Sequence, residues 1–419
     1  MTSTNPAADD LQQQIVRIAR RERGRLVGNL VARLGGAQLD LAEDVAQDAL
    51  LQAMSTWTFR GLPENPGAWL ARVAYNRAID KLRRGKRETP YAEQSDKRSS
   101  EALTGFSSEI EDPELRLIFL CCHARLRELD QLVLTLKVVS GFTVREIAGV
   151  LLASEDAIGQ RLARAKRKLR SAPEDIDSPP TRFDIEARMN TALKVIYLMF
   201  SVGYSPKSGD ALIRRDIAEE ALRLAICVAD QPGVSTASAH ALAALLCLQA
   251  SRLDAREAPD GSLILLREQD RGQWDRERIA RGLAYLQAAR DAQSLSRYHL
   301  EAGIAAAHAA APSWDECDWG AIARYYELLL DMVYSPVIAV NASVAQAMRG
   351  EPDLALETLD LLADEKSLRD YAPYFAARAE VLRMLGRDAD AAAAFSAAIE
   401  CDASTPVLKH LEQRLAACV

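Results

Sequence analysis

Runs in which apolar and polar residues alternate one for one, the mark of a half-buried strand, are missing from this 419-residue sequence. A sheet-built fold is excluded on that ground. Nearly every segment instead carries apolar residues at helical spacing, so an all-α protein is expected. Long hydrophobic runs are missing too. The longest, near VIYLMF after Lys194, is far too short to cross a bilayer. The opening MTSTNPAADDLQQQ lacks the cationic stretch and apolar core of a secretory leader, and a cytoplasmic protein without membrane contact is expected. Cysteine is sparse: seven residues, at 121, 122, 227, 247, 317, 401 and 418, suit reduced buried thiols better than a disulfide framework. Cys121, Cys122 and His123 have no second ligand pair at a finger-like distance, so neither a metal nor another cofactor is expected. Five histidines, at 123, 240, 299, 308 and 410, are scattered. The charged stretches WDECDW (Asp315, Glu316, Asp318) and REQDRGQWDRE sit with no nucleophile, His–carboxylate pairing or phosphate-binding glycine loop. No catalytic residue follows from them, and the chain does not read as an enzyme.

What is present is an uneven charge. Up to Pro180 there are 27 Lys and Arg against 25 Asp and Glu, a net of +2; the remainder has 25 against 34, a net of −9. The acidity therefore belongs to the C-terminal half. Positive charge is concentrated in two strips, KLRRGKR (Lys81 to Arg87) and RLARAKRKLR (Arg161 to Arg170), which is how a nucleic-acid footprint is laid out.

Two polar stretches, from residue 88 to Pro113 and SAPEDIDSPP at 171–180, divide the chain. The expected units are 1–88, a linker at 89–112, a second unit at 113–172, a linker at 173–182 and a helical extension at 183–419. In the first, Leu26, Leu30 and Leu34 precede the stop Gly35–Gly36, and a helix from about Leu41 to Trp57 sets Leu41, Val45, Ala49 and Leu50 against an acidic side of Glu43, Asp44, Gln47 and Asp48. After the expected loop TFRGLPENPG, a helix starts near Pro66, with Trp69, Leu70, Val73 and Leu82 on its buried side. In the second unit an apolar helix from Asp130 to Val139 stops at Gly141. Thr143 with Glu146 forms a capping box, and Ser154 caps a last, basic helix. Helix, short turn and basic helix is the layout of a helix-turn-helix. In the extension, Gly350 set over Gly386 places Met348 on Met384, Ala355 on Ala391 and Leu359 on Phe395, a repeat offset of 36 close to the tetratricopeptide period, over about 320–419.

AEDVAQDALLQAMSTW followed by NPGAWLARVAYNRAIDKLRR resembles region two of the extracytoplasmic-function sigma factors of bacterial RNA polymerase, and GFTVREIAGVLLASEDAIGQRLARAKRKLR resembles their region four. Everything beyond about residue 183 is similar to the long C-terminal extension of one sub-group. The resemblance implies core RNA polymerase (β′ and β subunits) and promoter DNA as partners, with a protein or peptide partner for the extension. It implies core binding by Glu43, Asp44, Gln47 and Asp48 on a coiled coil of β′. It implies minus-ten recognition by Asn76, Arg77, Arg83, Arg84, Lys86 and Arg87, with a base flipped into the loop after α-helical Trp57. The minus-thirty-five element falls to the helix begun by Ser154: Gln160, Arg161 and Arg164 are suited to base edges, and Lys166, Arg167 and Lys168 to phosphates or polymerase. Trp69 is assigned to the core. Gly159, with EDAIGQ in place of the Thr-Val-Lys-like run of many relatives, leaves open a close approach to DNA or to the preceding helix. The rival reading is a helix-turn-helix regulator with a tetratricopeptide sensor, which would have no use for residues 40–84.

Overall fold

The computed structural model describes residues 6–88, 112–151, 153–171, 182–204, 215–232, 235–259, 264–291, 293–401 and 405–418. Helices and short 3-10 turns make up its elements, and no strand occurs among the described residues. Two compact units form, one of Met1–Val195 with Gln231–Val234 and one of Ile196–Asp230 with Ser235–Val419. Their division falls inside the helix Arg182–Tyr204, beyond the linker at 173–182.

The first unit begins with a bundle of α1 (Pro6–Leu34), α2 (Leu39–Arg60) and α3 (Pro66–Glu88). Leu26, Val27 and Leu30 of α1 meet a stripe on α2 in which Ala42, Ala46, Ala49 and Ala53 alternate with Val45 and Trp57, all buried. Small residues there let the axes approach while Trp57 fills the end. The loop expected from Thr58 is shorter: α2 runs on to Arg60, with the Thr58 Oγ1 hydroxyl donating to the Met54 carbonyl at 2.6 Å. Gly61, at φ 76°, ends it, because that left-handed backbone is open mainly to glycine. Asn65 then accepts from the Ala68 amide at 2.9 Å and opens α3 one residue before Pro66.

The same unit continues with α4 (Pro113–Cys121), α5 (Glu128–Val138), α6 (Val144–Leu151) and α7 (Glu155–Arg170). Asp112 caps α4, accepting from the Glu114 and Leu115 amides at 2.8 and 3.0 Å. The expected capping box is present, with Thr143 N donating to Glu146 Oε2 at 2.7 Å and Glu146 N to Thr143 Oγ1 at 3.2 Å. Cys121 and Cys122 are buried, and burial pushes the Cys122 thiol up to about 12, so they serve as small core residues. The start of α4 lies against α1 at two glycines. A Cβ on Gly28 would sit 2.3 Å from the Pro113 carbonyl oxygen, and one on Gly24 would sit 2.2 Å from Glu114 Oε1.

The second unit contains the end of α8 (Arg182–Tyr204), then α9 (Arg215–Ala229), α10 (Ala237–Ala250), α11 (Arg276–Ala288), α12 (Arg297–Ala310), α13 (Trp319–Met332), α14 (Pro336–Met348), α15 (Pro352–Leu361), α16 (Ala372–Met384), α17 (Asp388–Glu400) and α18 (Thr405–Ala416). From α12 onward each helix packs on its neighbour in sequence. The aligned copies, α14–α15 and α16–α17, turn alike: Gly350 and Gly386 have φ of 103° and 71°, and Glu351 N and Arg387 N close matching bonds to the Gln346 and Leu382 carbonyls at 3.2 and 2.9 Å. Ala355, Ala391, Leu359 and Phe395 are all buried, as the repeat requires.

Two outcomes are expected. Gly28→Ala should lower stability by about 1–3 kcal/mol, because backbone rather than a flexible side chain occupies the space; urea denaturation of the first unit measures it. His308, between Trp314 and Trp319, is pushed down to about 3 by burial, with Arg252 and Arg271 adding to the shift. Its folded value lies below the unfolded one, so stability present above about pH 6.5 drains as pH falls toward 3. His308→Phe should flatten that loss in melting curves taken between pH 7 and 4.5.

Candidate nucleic-acid interface

The sides of α7 are distinct. Ile158, Leu162, Ala165 and Leu169 are buried against α5 and α6, as their spacing predicts. Ser154 accepts from Ala157 N at 3.2 Å, and Glu155 and Asp156 lie exposed over the positive helix end, where carboxylates are favoured. Gln160, Arg164 and Arg167 project outward at i, i+4 and i+7 and form no internal ion pair among the described residues. Arg161, grouped with Arg164 by sequence, is turned inward. Its Nη1 lies 3.2 Å from Oδ1 of Asp130, a carboxylate with 0% exposure on α5. Lys168 reaches the Arg125 carbonyl at 3.4 Å. Lys166 pairs with Asp40 at 2.9 Å and Glu43 at 2.6 Å, and Arg170 with Asp40 at 2.7 Å. A Cβ on Gly159 would have nothing within 4 Å, so packing on the preceding helix does not explain that glycine.

On α2 the acidic group separates. Asp44 and Gln47 are exposed, whereas half-buried Asp48 faces Arg77 at 3.4 Å and Lys81 at 3.3 Å. Glu43 departs from the expected solvated side. It is only 6% exposed, because it stands four residues after Leu39 and three before Ala46, on the buried stripe. Arg23 approaches it to 3.7 Å, and burial lowers the Arg23 pKa while Glu43 works to raise it.

Along α3, Asn76, Arg83 and Arg84 are exposed, Arg77 is half-buried and donates to Gln52 Oε1 at 2.7 Å, and the Lys86 and Arg87 side chains lie outside the described residues. An open cavity forms where α2 ends and α3 begins, lined by Gln52, Ser55, Thr56, Phe59, Arg60, Trp69 and Val73. Phe59 is 90% exposed at its rim. Trp69 packs edge-on against Trp57 at 5.4 Å between centroids and also turns toward the cavity, so it is not wholly a core residue. Residues 52, 55, 56 and 59 recur at i, i+3, i+4 and i+7, and that period carrying an unburied Phe is the signal that could have revealed them.

The charged stretches of the extension fasten helices. Asp270 accepts from Gly272 N at 2.8 Å, Asp275 caps α11 through Arg278 N at 3.0 Å, and Asp318 caps α13 through Ala321 N at 2.8 Å. Arg271 lies over Trp274 at 4.7 Å and donates to the His308 and Ala311 carbonyls. The fold also brings His308 Nδ1 within 3.5 Å of Cys317 Sγ, a pairing the sequence did not reveal. Burial raises the Cys317 pKa, which opposes a thiolate.

The Sigma-70 region 2 family matches residues 8–88, and the Sigma-70, region 4 family matches residues 116–169. The chain is an extracytoplasmic-function sigma factor with a long C-terminal extension. Residues 188–290 of that extension match a family of unknown function, DUF6596. An uncharacterized protein of Rhizobium meliloti (strain 1021) is 34% identical over 383 residues, covering 90% of each chain, so the likeness runs through the extension as well. No solved structure matches. The sigma factor directs promoter recognition, and its two regions imply binding to core RNA polymerase and promoter DNA. Sigma factors are not enzymes. Among the described residues no helix is long and apolar enough to cross a membrane.

Removing Arg161 would leave Asp130 buried without its cation. Arg161→Ala should therefore cost about 3 kcal/mol in chemical denaturation, toward the lower end for a broken buried pair because the arginine is part exposed. Arg164→Ala should stay within about 0.5 kcal/mol of wild type.

Proposed function

We propose that Gln160, Arg164 and Arg167 read or grip the minus-thirty-five element, with Ser154 setting the helix start, Lys166 and Lys168 on flanking phosphates and Arg161 holding α7 in place through Asp130. The outward side at i, i+4 and i+7, free of ion pairs among the described residues, supports this most directly. Arginine and glutamine offer bidentate donors or acceptors to guanine and adenine, and a base reader must keep them unspent. Gly159 sits on the same helix with open space around it, which suits a close backbone approach to the duplex.

For the minus-ten element, the cavity between α2 and α3 offers a flipped base the Trp69 ring, the Gln52 amide and the Ser55 and Thr56 hydroxyls, a mixture of stacking surface and polar groups that can offset the cost of unstacking. Asn76, Arg77, Arg83, Arg84, Lys86 and Arg87 follow it along α3 toward the strand. Asp44, Gln47 and Asp48 form the contact to β′, where charge chiefly sets orientation and association rate. Glu43 serves that contact only if its present partners release it. The extension regulates the sigma regions in cis or by receiving a protein or peptide partner on its stacked helix pairs.

Arg164→Ala and Arg167→Ala should weaken binding to a promoter duplex, by about 1–3 kcal/mol where a base is read. Titrations with matched and scrambled upstream elements separate the cases, since a phosphate contact changes the salt slope and leaves sequence preference intact. Equal affinity of both variants and wild type for the matched duplex would refute the assignment. For the extension, run-off transcription by the whole chain and by a chain ending after Tyr204 should differ in rate or promoter choice.

A further inference from the structure

Carboxylates are in surplus in the extension, and its ion pairs reflect that. Arg349 takes both Glu327 and Glu351, and Arg278 takes both Glu219 and Asp275. Around Glu380 on α16 the ratio is inverted. Arg414 of α18 donates to both Glu380 oxygens, through Nε and Nη2, each at 2.8 Å, which satisfies the carboxylate. Arg267 and Arg383 nonetheless turn to the same group, with their Nη1 atoms 3.7 and 3.8 Å from Oε2. At those distances neither makes a hydrogen bond. The Nε of Arg383 is buried with no hydrogen-bond partner. Three guanidiniums thus share one carboxylate, and even with Glu268 counted, next to Arg267 in the chain, cations remain in excess by one.

These arginines are held in place without a ligand. Arg267 stands on a turn closed by Glu268 N and Gln269 N, which both donate to the Leu265 carbonyl, at 2.8 and 3.1 Å, and Ile264 N ties the turn to the Arg256 carbonyl at 2.9 Å. Arg383 and Arg414 come from helices packed together through buried Leu382, Phe395 and Leu411. Because two Nη1 donors flank one oxygen, a single small oxyanion laid over Glu380 can reach both. Arg267 and Arg383 are part exposed, so the approach is open.

We propose that Arg267, Arg383 and Arg414 form a binding site for an oxyanion, a phosphate or a carboxylate group, on the acidic extension. Arg267 and Arg383 supply the charge-assisted hydrogen bonds that Glu380 leaves unmade, while Arg414 holds Glu380 aside and adds charge. The net negative charge of the extension does not forbid this. At about 0.15 M salt the screening length is about 8 Å, so guanidiniums at contact distance outweigh carboxylates scattered over the surface. A bound anion joins Arg267, inside the segment that matches DUF6596, to the helix pairs beyond it. The site stands whether or not those helix pairs receive a protein; where they do, the partner carries an acidic group at this point.

The test is isothermal titration of the full-length protein with inorganic phosphate and, separately, with N-acetyl-triglutamate, each against sodium chloride at equal ionic strength. At least one probe should saturate a single site with a Kd of about 1 mM or tighter, the strength that two charge-assisted hydrogen bonds reach. Whichever binds more tightly names the source of the anion. Arg267→Gln and Arg383→Gln should each weaken that binding at least fivefold, whereas Arg369→Gln, at an exposed arginine elsewhere in the extension, should leave it within twofold. Glu380→Gln removes the competing carboxylate and should tighten binding at least threefold. Absence of saturable binding by either probe overturns the proposal, as does binding that Arg267→Gln and Arg383→Gln leave unchanged in folded protein.

Discussion

A carboxylate withdrawn from water must be paired, and Glu43 meets that requirement with one partner from α1 and one from α7. Much else in the first unit is arranged around it. Arg23 is held between Glu43 and the turn at Gly141, where a Cβ would meet its side chain at 2.5 Å. Lys166 is drawn across to α2, which fixes the rotation of α7 and therefore which of its charges face outward. Such a buried pair contributes little net stability against an apolar replacement; what it sets is alignment, because only one rotation of α7 satisfies it.

The division of labour along α7 follows from that rotation. Six basic side chains in ten residues look equivalent as composition. Four of them have partners inside the protein, Arg161 at Asp130, Lys166 and Arg170 on α2 and Lys168 at the Arg125 carbonyl, while Arg164 and Arg167 remain outward. The same sorting occurs on α2, where Asp48 is balanced by Arg77 and Lys81 and only Asp44 and Gln47 stand clear. Net charge of a strip is thus a poor guide to the field it presents; the pairing pattern decides it.

The all-α class, the capping box, the Ser154 cap, the inward stripe of α7 and the repeat about Gly350 and Gly386 were legible in the sequence, since each rests on local periodicity or on a residue type that a turn demands. What was not legible depends on partners distant in the chain. Glu43 reads as surface because glutamate nearly always is, and only Arg23 and Lys166, twenty residues before it and over a hundred after, make its burial possible. Arg161 differs from Arg164 only through Asp130. The cavity beside Trp69 escaped because α2 runs on to Arg60 where a loop was expected, and Phe59 then stands on a helix and not in a turn.

The matched turns of the extension carry a consequence of another kind. At Gly350 and Gly386 the chain leaves one helix and enters the next by the same left-handed residue and the same backbone bonds, and buried Ala and bulky apolar residues recur at the same steps beyond each. An element whose entrance and exit are interchangeable is a module in the manufacturing sense. Inserting or deleting one whole helix pair between Arg349 and Gly386 would preserve every junction, so the extension can change its length in units of 36 residues without redesign of what flanks it.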